Sequence, residues 1–353
     1  MALKARFDAP DARRHVIHHM NETGTWATRG RTIEFQARGT SSWTSIARFP
    51  VALPTDLAAP SRLARRILRT DRCNVYPTRS GKLLGIRAGV VYRIEPPQLV
   101  PLFRIRGDCV MSRAIAETDD GELFFGEYFM NPSRVAVRVW RVGAELDEFG
   151  LARELDSPRV RHVHAVHADP HVPGRLWMTS GDFGNECYLS YTDDRFETLH
   201  NLGDGTQLWR IVGLAFLEDR LVWMTDSHIA QNHIVTMDRA TAEPTAIGDR
   251  DASTWYLTRT TDGRFLATSC VEPGASIQTD RVRLMVSEDA TRWETVASFQ
   301  KDGLPFSLFG FGFLSLPSGD FSSEDFWISG GGVRSLDCAS QRIGIHADDS
   351  GAA

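Results

Sequence analysis

Leu123–Tyr128 reads LFFGEY, and the same grammar returns as LWMTSGD at Leu176–Asp182, LVWMTDS at Leu221–Ser227, FLATSC at Phe265–Cys270 and FWISGGG at Phe326–Gly332. Each is a short apolar run, then Thr, Ser or Gly, then an acid or small polar group. The recurrence every 40–60 residues or so is that of four-stranded sheets repeating around an axis, which is the architecture of a β-propeller. Such a ring gathers equivalent loops from every blade on one face, so residues remote in sequence share one mouth.

Outward from these runs, strand signals dominate, separated by turn clusters such as TDDG, GDGT and TTDG. Taking each apolar run as a second strand gives six units, centred near Leu84, Phe125, Trp177, Trp223, Leu266 and Trp327. The strand before each reads CNVYPT, SRAIAE, HVHAVHA, IVGLAF, WYLTRT and FGFGFLSL. The pattern predicts an all-β, six-bladed β-propeller as one domain over 1–353, with blade cores near 72–104, 109–143, 161–203, 208–247, 254–299 and 309–345. Glu34–Phe49 aligns without a gap on Leu284–Phe299, placing Trp43 on Trp293 and Phe49 on Phe299. Residues 26–50 are therefore expected to be outer strands that complete the last blade, joining the N- and C-terminal strands and hiding a sheet edge. Seven blades is the alternative, if residues 1–50 form a unit of their own. Pro60–Thr70, with Leu63, Ile67 and Leu68 at helical spacing, reads as a helix or as a linker into the first full blade.

A chain of 353 residues with 42% hydrophobic and 24% charged content can bury a large core. The net charge of −5 and the lack of a basic run exclude a nucleic-acid footprint, although local arginines can still receive an acidic small molecule. No segment approaches the 18 or so apolar residues of a membrane span, and the N-terminus lacks the apolar core of a signal peptide, so no membrane association and a cytoplasmic location are expected. Cys73, Cys109, Cys187, Cys270 and Cys338 form no CxxC pair and are odd in number, which reads as reduced, structural thiols.

SEDATRW, Ser287–Trp293, resembles a shortened Asp-box of the sialidase-like propellers, whose usual pattern is Ser-x-Asp-x-Gly-x-Thr-Trp; YTDDRFETL, Tyr191–Leu199, is a weaker copy. The succession FFGEYFMNP, RHVHAVHADP, LWMTSGD, WR and TDSHIAQNHI across Phe124–Ile234 is similar to bacterial sialidase-like proteins described as glycosyl-hydrolase-like or Asp-box (BNR) repeat proteins. The resemblance implies a propeller in which the box is a structural turn between outer strands, and it carries architecture better than reaction. A true sialidase is not implied, because FRIRG, Phe103–Gly107, lacks the proline of that family's first arginine motif.

In a propeller, the loop after each second strand and the approach to each first strand emerge together near the axis. That geometry gathers Glu127 and Tyr128; Arg161, His162, His164 and Asp182; Trp209, Arg210, Asp226, His228, Gln231 and Asn232; and Glu272. Converging carboxylates drive their pKa values apart, which supplies an acid and a base, so Glu127, His164, Asp182 and Asp226 are the catalytic candidates. The blander reading has Asp182 and Asp226 capping the turns TSGD and TDS. Arg161 and Arg210 suit a carboxylate, through the guanidinium fork. Tyr128, Trp209, Asn232 and Glu272 complete the substrate-binding set, although Trp209 also reads as packing. Strand alternation sets His162 and His164 on one face and His167 on the other. A divalent metal held by His162 with His228 and Gln231 is chemically reasonable. The glycines of Ser329–Val333, SGGGV, are expected to leave space at the axis.

These residues point first to a carbohydrate-active enzyme, a glycoside hydrolase or a lyase, cleaving or modifying an acidic oligosaccharide or polysaccharide. The alternatives are a non-catalytic glycan-binding or polysaccharide-assembly propeller, and a metal-dependent lactonase or esterase.

Overall fold

The computed structural model describes residues 3–11, 14–53, 56, 61–156 and 160–347. After β1 (Leu3–Phe7) come β2 (Val16–Met20), β3 (Gly24–Arg29), β4 (Thr32–Ala37) and β5 (Thr44–Arg48). The next antiparallel groups are β6 (Cys73–Pro77), β7 (Leu83–Arg87), β8 (Val90–Glu95) and β9 (Gln98–Arg104), then β10 (Ala116–Glu117), β11 (Leu123–Gly126), β12 (Val137–Val142) and β13 (Phe149–Leu155). They are followed by β14 (Val163–Ala168), β15 (Leu176–Ser180), β16 (Cys187–Thr192) and β17 (His200–Gly205), and by β18 (Ala215–Phe216), β19 (Arg220–Met224), β20 (Asn232–Asp238) and β21 (Pro244–Arg250). The last are β22 (Ser253–Arg259), β23 (Phe265–Val271), β24 (Arg281–Ser287) and β25 (Glu294–Gln300), with β26 (Gly312–Ser315), β27 (Ser318–Gly319), β28 (Phe326–Gly331) and β29 (Ala339–Ala347).

Hydrogen bonding joins these strands into six sheets, and the all-β propeller stands. The eight-stranded sheet contains two four-stranded units, β22–β25 and β26–β28–β29–β1, joined where Cys270 pairs with Phe313. Counted as hydrogen-bonded sheets the ring has six members; counted as four-stranded units it has seven, because β2–β5 form a set of their own. N- and C-terminal strands close the ring as expected, but through different residues. Residues 34–49 do lie in third and fourth strands, but β4 pairs with β3, not with the C-terminal unit. The strand that covers the C-terminal edge is β1, with Leu3 opposite Ala347 and Phe7 opposite Ile343. A parallel contact of β27 with β2, His19 opposite Ser318, ties the first and last units at the axis.

Each second strand is buried on both faces because neighbouring units sandwich it, which is why it reads as a continuous apolar run. Fourth strands such as β17 and β21 are largely exposed and correspondingly polar. The segment before β6 forms a helix, α1 (Arg62–Leu68), capped by the Ser61 hydroxyl, while Pro60 lies outside the described residues. Its Leu63, Ile67 and Leu68 are exposed. The helix is held instead by Arg66, which pairs with Asp302 and donates from Nε to the Phe309 carbonyl at 3.1 Å.

The SGGGV segment does not open the axis. A Cβ on Gly331 would lie 2.5 Å from the Phe313 ring, and one on Gly332, at φ +64°, would lie 2.2 Å from the Phe311 carbonyl. These glycines permit close packing, not a void. Both Asp-box-like segments are turns between third and fourth strands: Asp289 Oδ1 accepts from the Thr291 and Arg292 amides at 2.8 and 2.9 Å, and Asp194 Oδ1 from the Thr198 amide at 2.9 Å.

Candidate metal centre

The innermost strand β14 carries a bulge: Val163 pairs with Ser180 and Ala165 with Thr179, leaving His164 as the extra residue. A bulge re-aims side chains and breaks the two-residue alternation. As a result His164 and His167 both reach the next unit, bonding through ring nitrogens to the carbonyls of Ile211 (2.8 Å) and Val212 (3.1 Å). The expected opposition of these two histidines is thus corrected. They remain about 10 Å apart along the strand, at opposite ends of the axis.

At the end where β14 begins, His162, His164 and Asp182 place one ligand atom each within 4.8 Å of one another, a candidate divalent-metal triad. The arrangement of the ring nitrogens is decisive. His162 Nδ1 bonds to the Phe129 carbonyl at 3.0 Å and His164 Nδ1 to the Ile211 carbonyl at 2.8 Å. A carbonyl only accepts, so both Nδ1 atoms carry the proton and a neutral ring presents its Nε2 lone pair. Those Nε2 atoms face Asp182, at 3.4 Å from Oδ2 for His162 and 3.3 Å from Oδ1 for His164. The buried His162 Nε2 has no hydrogen-bond partner. Lone pairs facing lone pairs ask for a cation between them, and backbone carbonyls fixing Nδ1 are the usual outer support of metal-ligating histidines.

Two arginines hold Asp182 from the other side. Arg161 is in direct contact with Oδ2, and Arg210 Nη2 lies 3.0 Å from Oδ1. Burial pushes the Asp182 carboxyl up, but the groups turned onto it, His162, His164 and Arg210, outweigh burial and hold it well below the usual range. Arg210 also meets Asp226 Oδ2 at 3.4 Å and donates from Nη1 to His228 Nδ1 at 2.7 Å. Asp226 is 3% exposed and its Oδ1 has no partner. Burial, with Glu272 and Asp182 nearby, raises it well above the carboxylate range despite Arg210. Glu272, likewise raised by burial, accepts from the Ser253 hydroxyl at 2.6 Å. The Tyr128 ring lies 4.4 Å from that of His162, and burial pushes its phenol up. Neither aspartate caps its turn: the amide of Ser227 is taken by Asn232 Oδ1 at 2.8 Å.

Several expected members lie elsewhere. Glu127 is fully buried but continues the β11 register, its amide bonding to the Arg138 carbonyl. Its carboxylate turns away to accept from the Arg106 amide (2.9 Å), the Arg138 amide (3.2 Å) and the Trp140 indole (3.4 Å). Alternation gives the axis to Tyr128 and denies it to Glu127. Trp209 packs against Trp223 in a buried cluster. Asn232 is a buried turn clamp, also donating to the Ser227 carbonyl at 2.7 Å. Gln231 is exposed and donates to the carbonyls of Asn232 and Arg250. His228 Nδ1 is spent on Arg210, so the His162, His228 and Gln231 metal set is replaced by His162, His164 and Asp182. Two residues that the sequence pattern passed over flank the mouth: Phe183, whose ring lies 5.1 Å beneath the Arg161 guanidinium, and Met130, which is 70% exposed. Their apolar character beside an aspartate-arginine cluster is the signal that was available.

No family model and no curated protein matches the chain. Solved structures do match. YCF48 bound to D1 peptide is 10% identical with a TM-score of 0.56, over 99% of this chain and 96% of that one. A chain of the mitotic checkpoint complex is 10% identical with a TM-score of 0.54, over 98% and 94%. The extracellular domain of a one-component system from B. thetaiotaomicron is 10% identical with a TM-score of 0.50, over 96% of this chain but 39% of that one. These likenesses show a distantly related β-propeller fold; they do not carry the sialidase-like, Asp-box family. The cytoplasmic expectation is corrected to the extent that an extracellular domain stands among the similar structures. Among the described residues, no helix is long and apolar enough to cross a membrane.

Proposed function

We propose that His162, His164 and Asp182 hold a divalent cation and that the axial mouth serves a metal-dependent lactonase or esterase, in preference to a metal-free glycosidase. One observation carries this reading: two histidines whose protons are fixed on Nδ1 turn their Nε2 atoms onto one carboxylate. Two imidazoles and a carboxylate are a donor set for zinc and neighbouring transition metals. Such an ion would supply Lewis acidity toward a carbonyl oxygen. The residues do the rest. Arg161 and Arg210 orient Asp182 and favour an oxygen-rich, acidic substrate. Asp226, raised by burial and linked to Asp182 through Arg210, is the proton-bearing carboxyl beside the cluster. Phe183 and Met130 give the substrate an apolar wall.

The acidic-oligosaccharide hydrolase or lyase loses Glu127, whose carboxylate is committed to backbone amides. Non-catalytic glycan binding is the second reading, favoured by the engagement of Asp182 with both arginines, which leaves it a poor base. Elemental analysis and calorimetric titration with Zn²⁺ and Mn²⁺ test the metal. One ion per chain, lost in His164→Ala, is expected; failure of every divalent ion to bind sinks the proposal. With metal bound, turnover of aryl esters and lactones, against saturable binding of uronate oligosaccharides without product, separates the two readings.

A further inference from the structure

The opposite mouth of the axis holds a cavity of about 520 Å³, within the roughly 300–1,000 Å³ of small-molecule sites. Its wall is built where β2, β6, β10, β14, β18 and β22 run out, so every one of these units contributes. The feature that distinguishes it is Arg113, just before β10, at a backbone φ of +65° that L residues rarely adopt. Its guanidinium lines the cavity and, among the described residues, makes one hydrogen bond, from Nη1 to the Pro317 carbonyl. Among the described residues no carboxylate lies within 4.0 Å of it. Glu117, also in the wall, is turned to the Arg79 amide at 2.9 Å and to the Tyr76 hydroxyl at 3.3 Å. The charge is felt nearby: burial first, and then Arg113, pushes His19 down to about 3, and burial, with Arg113 a lesser cause, pushes His167 down to about 4. Around Arg113 stand the neutral imidazoles of His19 and His167 and the apolar Leu257, with Arg79 and Arg259 also in the wall and Asp320 acting on Arg113 from beyond ion-pair distance. A partly buried arginine with donors to spare is costly without an anion and suits a carboxylate through two parallel hydrogen bonds.

We infer that this cavity is a second ligand site, separate from the His162 cluster, which takes a small organic carboxylate with its carboxyl group on Arg113. The cavity exceeds what a carboxyl group alone fills, so the ligand carries a ring or a polyhydroxylated chain.

The test is titration of the full chain with benzoate, 4-hydroxybenzoate, gluconate and glucuronate, followed by saturation-transfer NMR and calorimetry, with benzamide and glucose as neutral controls. At least one carboxylate is expected to saturate below about 10 mM, with its neutral control at least tenfold weaker. Arg113→Gln should weaken it by at least about tenfold, whereas His164→Ala and chelator should leave it unchanged. Thr261→Trp, at the exposed rim, leaves Arg113 in place and should block entry, which keeps the test open should Arg113→Gln fail to fold. Equal binding of the neutral controls, equal binding by Arg113→Gln or Thr261→Trp, or no saturation by any of the four overturns the inference.

Discussion

The two mouths of the axis are built from the same innermost strands and have opposite electrostatics. Where β14 begins, Arg161 and Arg210 converge on Asp182 and Asp226, so charge is matched inside the protein and the histidines are left with inward-facing lone pairs. Where it ends, Arg113 has no carboxylate within 4.0 Å among the described residues, Asp320 acting on it only from further off, and burial keeps His19 and His167 neutral. One strand of six residues carries both outcomes, His164 to one mouth and His167 to the other. On the two proposals above, one ring of repeated units holds two independent sites, one for a cation and one for an anion.

The largest effect that sharpens this contrast is expected from Arg210→Met. It leaves Asp182 and Asp226 buried with their main counter-charge gone, and breaking a buried pair from one side costs about 3–5 kcal/mol. Urea unfolding measures it. Arg113→Met, with no ion pair to break, should cost far less, and equal losses would erase the distinction between matched and unmatched mouths.

Next in size is stabilisation by metal. With free Zn²⁺ at about 100 times its dissociation constant the native state gains about 2.7 kcal/mol, seen as a raised melting temperature. His164→Ala should abolish the gain, and His167→Gln, three residues along the same strand, should keep it. A gain that survives His164→Ala would place the ion elsewhere.

Two sets of buried groups should answer pH with opposite sign, with Asp182, held low, adding to the acid-side loss. Burial lowers His18, His19 and His167 to about 4, 3 and 4 in the folded state. Below about pH 6.5 the unfolded chain takes up protons that the native state refuses, so stability falls with acidification until the folded values are reached, by up to about 1.4 kcal/mol per pH unit for each histidine. Asp226 and Glu272 are raised instead. Above the unfolded carboxylate range the native state holds the extra protons, so their contribution falls as pH rises. Denaturation curves from pH 4 to 8 should therefore show the acid slope shallower in His167→Gln and the loss at higher pH reduced in Asp226→Asn. Coincident profiles for the two variants would count against separate environments.

How much of this was legible in the sequence follows from what the hydrophobic pattern can encode. The second strands were readable because burial on both faces demands unbroken apolar runs such as LWMTS. The β2–β3 pair escaped because VIHHM buries two histidines by hydrogen bonding, His18 to Thr28 at 2.8 Å and His19 to Ser318 at 2.9 Å, where the eye expects aliphatics. Asp182, Asp226, Arg161 and Arg210 were found because turn position predicts the mouth. Glu127 was misplaced because a single residue of continued ladder reverses which side chain faces the axis, and ladder length is not written in composition. The role of His164 depends on a bulge, a register event set by tertiary pairing, and the lack of an ion pair at Arg113 depends on how close the acids of other units come.

The smallest effect calibrates the rest. Asp289 is an aspartate whose work is the turn alone: Oδ1 takes the Thr291 and Arg292 amides, and its side chain is 38% exposed, remote from both mouths. Asp289→Ala should cost about 1 kcal/mol, the net worth of such hydrogen bonds, with no change in Zn²⁺ or carboxylate binding. Asp182 shares its position after an apolar strand and its chemical type, but in place of amides it meets two arginines and two histidines. If Asp182→Ala cost no more than Asp289→Ala and left metal binding intact, Asp182 would be a turn aspartate too, and the matched mouth would be a fold device with no site in it. A loss several times larger, accompanied by loss of the ion, assigns the difference to the charges that converge there.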